Sequence, residues 1–183
     1  IGRNCAALVD DGDCLQMGIG ALPNALAAQL GNHKDLGLHT EMFADGLLRL
    51  IKKGVINNAR KKIDTGKVVS SFLLGSQDVY SFIDRNPDVL MRKIEYTNNP
   101  FIIAQNPRMK AINSAVEVDL TGQICADSIG TRIFSGTGGQ ADTAIGAQMS
   151  KGGRSIIALY STAMVKDKAT GELKTIETKA KTA

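Results

Sequence analysis

Two kinds of segment in this sequence have residue types that can do chemistry. The first is His39-Thr40-Glu41, which closes a short apolar stretch beginning at Leu36 and stands just before a helical pattern. Ligands of α/β sheets collect beyond the carboxyl ends of strands. A carboxylate there can serve as base, nucleophile or ligand, or can simply face the dipole of the next helix. The second kind is rich in glycine. Gly18-Ile19-Gly20-Ala21-Leu22-Pro23 follows a strand pattern and opens a helix pattern, which aims backbone N–H groups at an anion. Ser135-Gly136-Thr137-Gly138-Gly139-Gln140 is denser; its glycines let backbone approach a ligand closely, and successive N–H groups can form a nest for an oxyanion or phosphate. Each loop also reads as an ordinary turn.

Several familiar chemistries do not fit. Pro23 stands where a dinucleotide fingerprint needs its third glycine, and the one Gly-Lys pair, Gly66-Lys67, lacks the upstream glycine of a phosphate-binding P-loop. No Gly-x-Ser-x-Gly elbow is present. His33, Asp35, His39 and Glu41 match no common zinc spacing. No cysteine has a histidine near it in sequence, so none is favoured as a nucleophile.

These segments are carried by alternating elements. Strand patterns run over Cys14 to Ile19, Leu36 to Thr40, Lys67 to Leu74 and Arg154 to Tyr160. Helix patterns run over Asn24 to Leu30, Leu47 to Lys53 with Asp45 as N-cap and Gly54 as stop, Gln77 to Asp84, and Gly139 to Ser150. Ala111 to Leu120 alternates and, through Thr121-Gly122, forms a hairpin with Gln123 to Ala126. The expected fold is therefore α/β, an open mixed sheet flanked by helices.

With 183 residues, the chain makes about one domain. Its 43% hydrophobic and 22% charged residues are ordinary globular usage, which excludes a disordered chain or a fibre. The longest apolar run, Ile156 to Tyr160, is far short of the ~20 residues of a membrane span. The start of the chain does not read as a leader sequence. Net charge is +4, and half of it sits in the lysine-rich stretch from residue 166 to 183, expected as a solvated tail. With 4% aromatics, no tryptophan and no basic stripe, nucleic acid is not an expected partner. Cys5, Cys14 and Cys125 are odd in number and show no CxxC spacing, so they read as buried thiols of a cytoplasmic protein.

The joint pattern is more specific than any loop alone. The stretches Gly18 to Ala25, Asp35 to Met42, Ile112 to Gln123, Asp127 to Gly130 and Ser135 to Gln140 resemble, in order, the acetyl-CoA hydrolase/transferase family. The resemblance implies the open α/β fold of the CoA-transferase (NagB/RpiA-like) superfamily. Residues 1–165 would be most of a C-terminal catalytic domain and residues 166–183 an atypical or truncated end. It implies an acyl-CoA, of the acetyl, butyryl or 4-hydroxybutyryl type, and a small carboxylic acid as substrates. Coenzyme A thioester would be a substrate, with no permanently bound cofactor or metal. It also implies an N-terminal partner domain and a homo-oligomer. Glu41 would be the nucleophile, passing through a glutamyl-CoA thioester. Gly18, Gly20, Gly136, Gly138, Gly139 and Gln140 would contact the thioester or its oxyanion. A hydrolase, or an inert fragment, stays open as an alternative.

Overall fold

Four strands form the centre of the molecule. In spatial order they are Arg154–Ala158, Met109–Ser114, Cys14–Met17 and Gly37–Leu38, and every neighbouring pair is parallel. A parallel bridge between His39 and Val69 continues this sheet to Val68–Ser70, which pairs with Val89–Met91. The computed structural model describes residues 1–18, 20–166 and 170–177.

Alternation along the strands assigns their two faces. Leu15, Met17 and Ile112 join the larger apolar core with Leu26 of helix Ala21–Gln29, its C-cap Leu30, and Leu47, Leu48 and Leu50 of helix Asp45–Lys52. Cys14, Met109 and Ala111 face the other way, onto Ile103 and Ala147. Each fully buried Leu or Met contributes roughly 2 kcal/mol. Helix Gln140–Met149 closes this second face; a Cβ on its Gly146 would sit 2.6 Å from the Ile103 side chain, so only glycine permits the approach.

The fold class is α/β as expected, with one refinement. The hairpin, Glu117–Val118 with Ile124–Cys125, stands off the central sheet, as does a second, Ser128–Ile129 with Arg132–Ile133. Antiparallel pairing thus lies beside an all-parallel centre. The apolar run Lys67 to Leu74 is not one buried strand. It splits at Ser71 into Val68–Ser70 and Phe72–Leu73, which join different ladders, and Phe72 and Leu74 are exposed. Asp45 is not an N-cap. Ala44 holds that place, and the Asp45 carboxylate instead accepts from the Ser76 amide at 3.1 Å and from its hydroxyl. Gly54, at φ +73°, does stop that helix. In the lysine-rich stretch, Thr162–Lys166 and Leu173–Glu177 pair as an antiparallel hairpin rather than a free tail; residues 167–169 and 178–183 lie outside the described residues.

Candidate functional site

The chain leaves Cys14–Met17 toward Gly37–Leu38 on one side and later returns to place Met109–Ser114 on the other. Between those strands the order reverses, and open parallel sheets bind ligands beyond the carboxyl ends at such a point. A cavity of about 270 Å³ opens there. Its floor is Gln16, Met17 and Gly18 from one strand end and Asn113 and Ser114 from the other. Its walls are Glu41, Phe72 and the loop from Gly136 to Gln140.

Glu41 follows the His39 bridge and precedes strand Met42–Phe43. Its carbonyl accepts three hydrogen bonds: from the Ser71 amide at 2.9 Å, the Phe72 amide at 3.2 Å and the Ser70 hydroxyl at 3.0 Å. The main chain is therefore pinned while the side chain points into the cleft. Among the described residues lining the cavity, Glu41 is the one ionisable side chain, and no ion pair engages it. A second, wider hollow is also lined by Glu41, together with Glu95, Asn98, Phe101, Gly138 and Asp142.

The glycine loop is held from both ends. Asp127 carbonyl accepts from the amides of Phe134, at 2.9 Å, and Ser135, at 3.2 Å, and Gly139 caps helix Gln140–Met149. Gly139 is required by close approach. A Cβ there would fall on Glu41 Oε2 and Asn98 Nδ2, both of which occupy the space its missing side chain leaves. Beneath the loop, Asn113 Nδ2 donates to Gln16 Oε1 at 3.2 Å and to Thr143 Oγ1 at 3.3 Å, and Gln16 Nε2 returns a bond to Asn113 Oδ1. All three side chains are buried. The network ties both strand ends to the helix that carries the loop, without adding charge.

Under the Glu41 segment sits a buried basic cluster. Lys61 Nζ donates to the carbonyls of Leu38, at 3.0 Å, and Lys67, at 2.7 Å. Burial lowers its pKa, with Cys14 and Asp64 opposing. Burial also pushes the Cys14 thiol up to about 12. The His39 imidazole goes down to about 4, through burial first and the Lys61 cation second.

Of the site residues expected from sequence, Glu41, Gly18, Gly136, Gly138, Gly139 and Gln140 meet around one cavity. Gly20 does not line it. It is exposed, at φ +105°, and serves instead as the N-cap of helix Ala21–Gln29, a backbone state glycine adopts without strain. Ile19 of that loop lies outside the described residues. Cys5 and Cys14 are buried as expected, whereas Cys125 is half-exposed. Sequence reasoning missed Gln16, Asn98, Asn113 and Thr143. A signal existed for Gln16, an amide inside an otherwise apolar strand; Asn98 offered none.

The acetyl-CoA hydrolase/transferase C-terminal domain matches residues 75–182, more than half of the chain. The chain belongs to this family. Glu41 precedes the matched segment. Two relatives carry the likeness across nearly the whole chain. It is 51% identical over 163 residues, 89% of the chain, to the 4-hydroxybutyrate coenzyme A transferase of Clostridium kluyveri. It is 49% identical over 92% of its length to a probable butyrate:acetyl-CoA coenzyme A-transferase of Syntrophomonas wolfei. It spans 38% of each of these relatives. Among solved structures, RipA from Yersinia pestis superposes with a TM-score of 0.85 at 40% identity, covering all of this chain and 38% of that one. The 4-hydroxybutyrate CoA-transferase of Porphyromonas gingivalis does so with a TM-score of 0.81 at 44% identity, over 98% of this chain and 41% of that one.

Proposed function

We propose that the chain carries the nucleophile of a CoA-transferase, which moves CoA between a short aliphatic acyl-CoA and a small carboxylic acid. The observation that carries this reading is the placement of the Glu41 carboxylate. It has no ion-pair partner among the described residues and lies in an otherwise uncharged cleft at the strand-order reversal, against the glycine loop. A Glu41 oxygen attacks the thioester carbonyl, the C–S bond breaks, and CoA thiolate leaves a mixed anhydride. The thiolate attacks the glutamyl carbonyl, the anhydride C–O bond breaks, and the first acid departs, leaving a glutamyl-CoA thioester. The second acid reverses both steps and leaves with CoA. Covalent catalysis thus splits one hard transfer into easier ones.

Each attack builds a tetrahedral oxyanion. The glycine-loop amides, Gln140 and the Asn98 amide are the donors at hand, and one well-placed donor contributes about 3–4 kcal/mol. A neutral lining favours the reaction, because a cation paired with Glu41 would hold its electron pair in the ground state. The names of the relatives support acids of the butyrate and 4-hydroxybutyrate kind. CoA is a substrate in this scheme and no resident cofactor takes part. The rest of the relatives' length supplies the partner domain, and the working unit is a cytoplasmic homo-oligomer.

The test is mass spectrometry. The protein is incubated with butyryl-CoA, alone and with the amino-terminal domain of the Clostridium relative, then treated with borohydride or hydroxylamine. A modification confined to Glu41 supports the reading, and absence of any adduct in both mixtures rejects it. CoA release that requires added acetate marks a transferase; release without it marks a hydrolase.

A further inference from the structure

We infer that His39 is a positioning residue for this site: its imidazole ties the Thr97–Asn98 turn to the strand that delivers Glu41, and so sets the Asn98 amide against the Glu41 carboxylate. The catalytic consequence rests on the proposed function; the structural tie does not.

The path is continuous. His39 is 1% exposed, and its own amide donates to Leu15 carbonyl at 3.0 Å, fixing it to the central sheet. Its Nε2 lies 3.0 Å from the carbonyl of Thr97, 58 residues away in sequence. A carbonyl only accepts, so Nε2 carries the proton. Nδ1 is then a bare acceptor, buried and without a partner among the described residues. Such a group costs stability where it sits, which argues for a requirement elsewhere on the ring. That requirement is the Thr97 bond.

From Thr97 the tie divides. The Thr97 hydroxyl lies against the Ser71 hydroxyl, and the Ser71 amide donates to Glu41 carbonyl. The Thr97 hydroxyl also donates to Asn98 Oδ1 at 3.3 Å. Fixing Oδ1 on that side leaves Nδ2 to face the Gly139 space, which Glu41 Oε2 shares. Burial of the ring, first of all, keeps it singly protonated. Lys61 opposes a second proton, while Asp64, whose carboxylate accepts from Tyr96 Oη at 2.7 Å, favours it. The Tyr96 ring lies 6.0 Å from the imidazole.

Two readouts separate this inference from the reading beneath it. The first is the side-chain amide resonance of Asn98 in protein labelled with 15N at asparagine, assigned by its loss in Asn98→Ala. It is expected to move in His39→Leu and to return in His39→Gln, whose amide nitrogen reaches as far as Nε2. The second is the rate of Glu41 adduct formation with butyryl-CoA. It is expected to fall tenfold to a hundredfold in His39→Leu, to recover within about threefold in His39→Gln, and to fall no further when His39→Leu is added to Asn98→Ala. Should His39→Leu not fold, His39→Asn replaces it, since its amide stops short of Thr97. An unmoved Asn98 resonance, or equal behaviour of the Gln and Asn variants, overturns the inference. A moved resonance in a protein that never forms the adduct upholds the tie and rejects the proposed function instead.

Discussion

The two ends of the central sheet solve opposite problems. At the amino end, Asp13 is fully buried yet charged. Arg108 Nε reaches its Oδ1 at 2.7 Å, Lys110 Nζ its Oδ2 at 3.3 Å, and the Asp10 amide donates to it at 2.8 Å. At the carboxyl end, Gln16, Asn113 and Thr143 are buried and uncharged, and the acid above them, Glu41, has no cation paired with it among the described residues. Charges at the first end are neutralised where they stand and do no chemistry. At the second end amides hold position without quenching the acid. The same strands therefore supply a closed, ion-paired base and an open, neutral cleft.

Substitutions distinguish the two ends. Glu41→Gln is nearly isosteric; it should lower turnover at least about a thousandfold while leaving the thermal midpoint near its starting value. Loss of both would make Glu41 structural and erase the contrast. Asp13→Asn should do the reverse, costing about 3 kcal/mol in urea unfolding because buried Lys110 loses its carboxylate and Arg108 keeps only Asp10, with turnover per folded molecule retained. Acid should act through His39. Its folded pKa, about 4, lies below the ordinary 6.5, so the unfolded chain binds the extra proton between those values. Stability therefore falls as pH drops from about 6.5 to 4, by roughly 3 kcal/mol, and His39→Gln should flatten that limb.

Gly139→Ala sharpens the contrast further. The atoms an added methyl meets first are the side-chain ends of Glu41 and Asn98, so it should displace both and slow turnover about a hundredfold. Gly146→Ala, 2.6 Å from Ile103, should destabilise the same helix instead. The smallest effect is on thiol labelling. Cys14, with its thiol pushed up to about 12, and buried Cys5 should stay unmodified in the native state while half-exposed Cys125 reacts.

Glu41 and the Gly136–Gly139 loop were legible in sequence because strand-end and helix-start chemistry is local. Gly20 stands apart from the cavity lining, and a glycine that caps a helix and one that lines a cleft look alike in a string of residues. The run from Lys67 to Leu74 hid its break, since an apolar stretch cannot show that Ser70 and Phe72 pair with different neighbours. Asp45 read as a cap because its acceptor was assumed to serve its own helix, whereas Ser76 claims it from 31 residues away. The tie from His39 to Thr97 was invisible for the same reason: two partners so far apart leave no periodic trace.

The three-point grip on the Glu41 carbonyl has a consequence for turnover. With the backbone locked, only side-chain torsions remain to move the acid, and the residue lines both hollows. On the proposed reading, incoming and outgoing partners meet at a swivel shared by the two hollows. Handing a group across then needs bond rotations on the picosecond-to-nanosecond scale rather than the slower swing of a hinge.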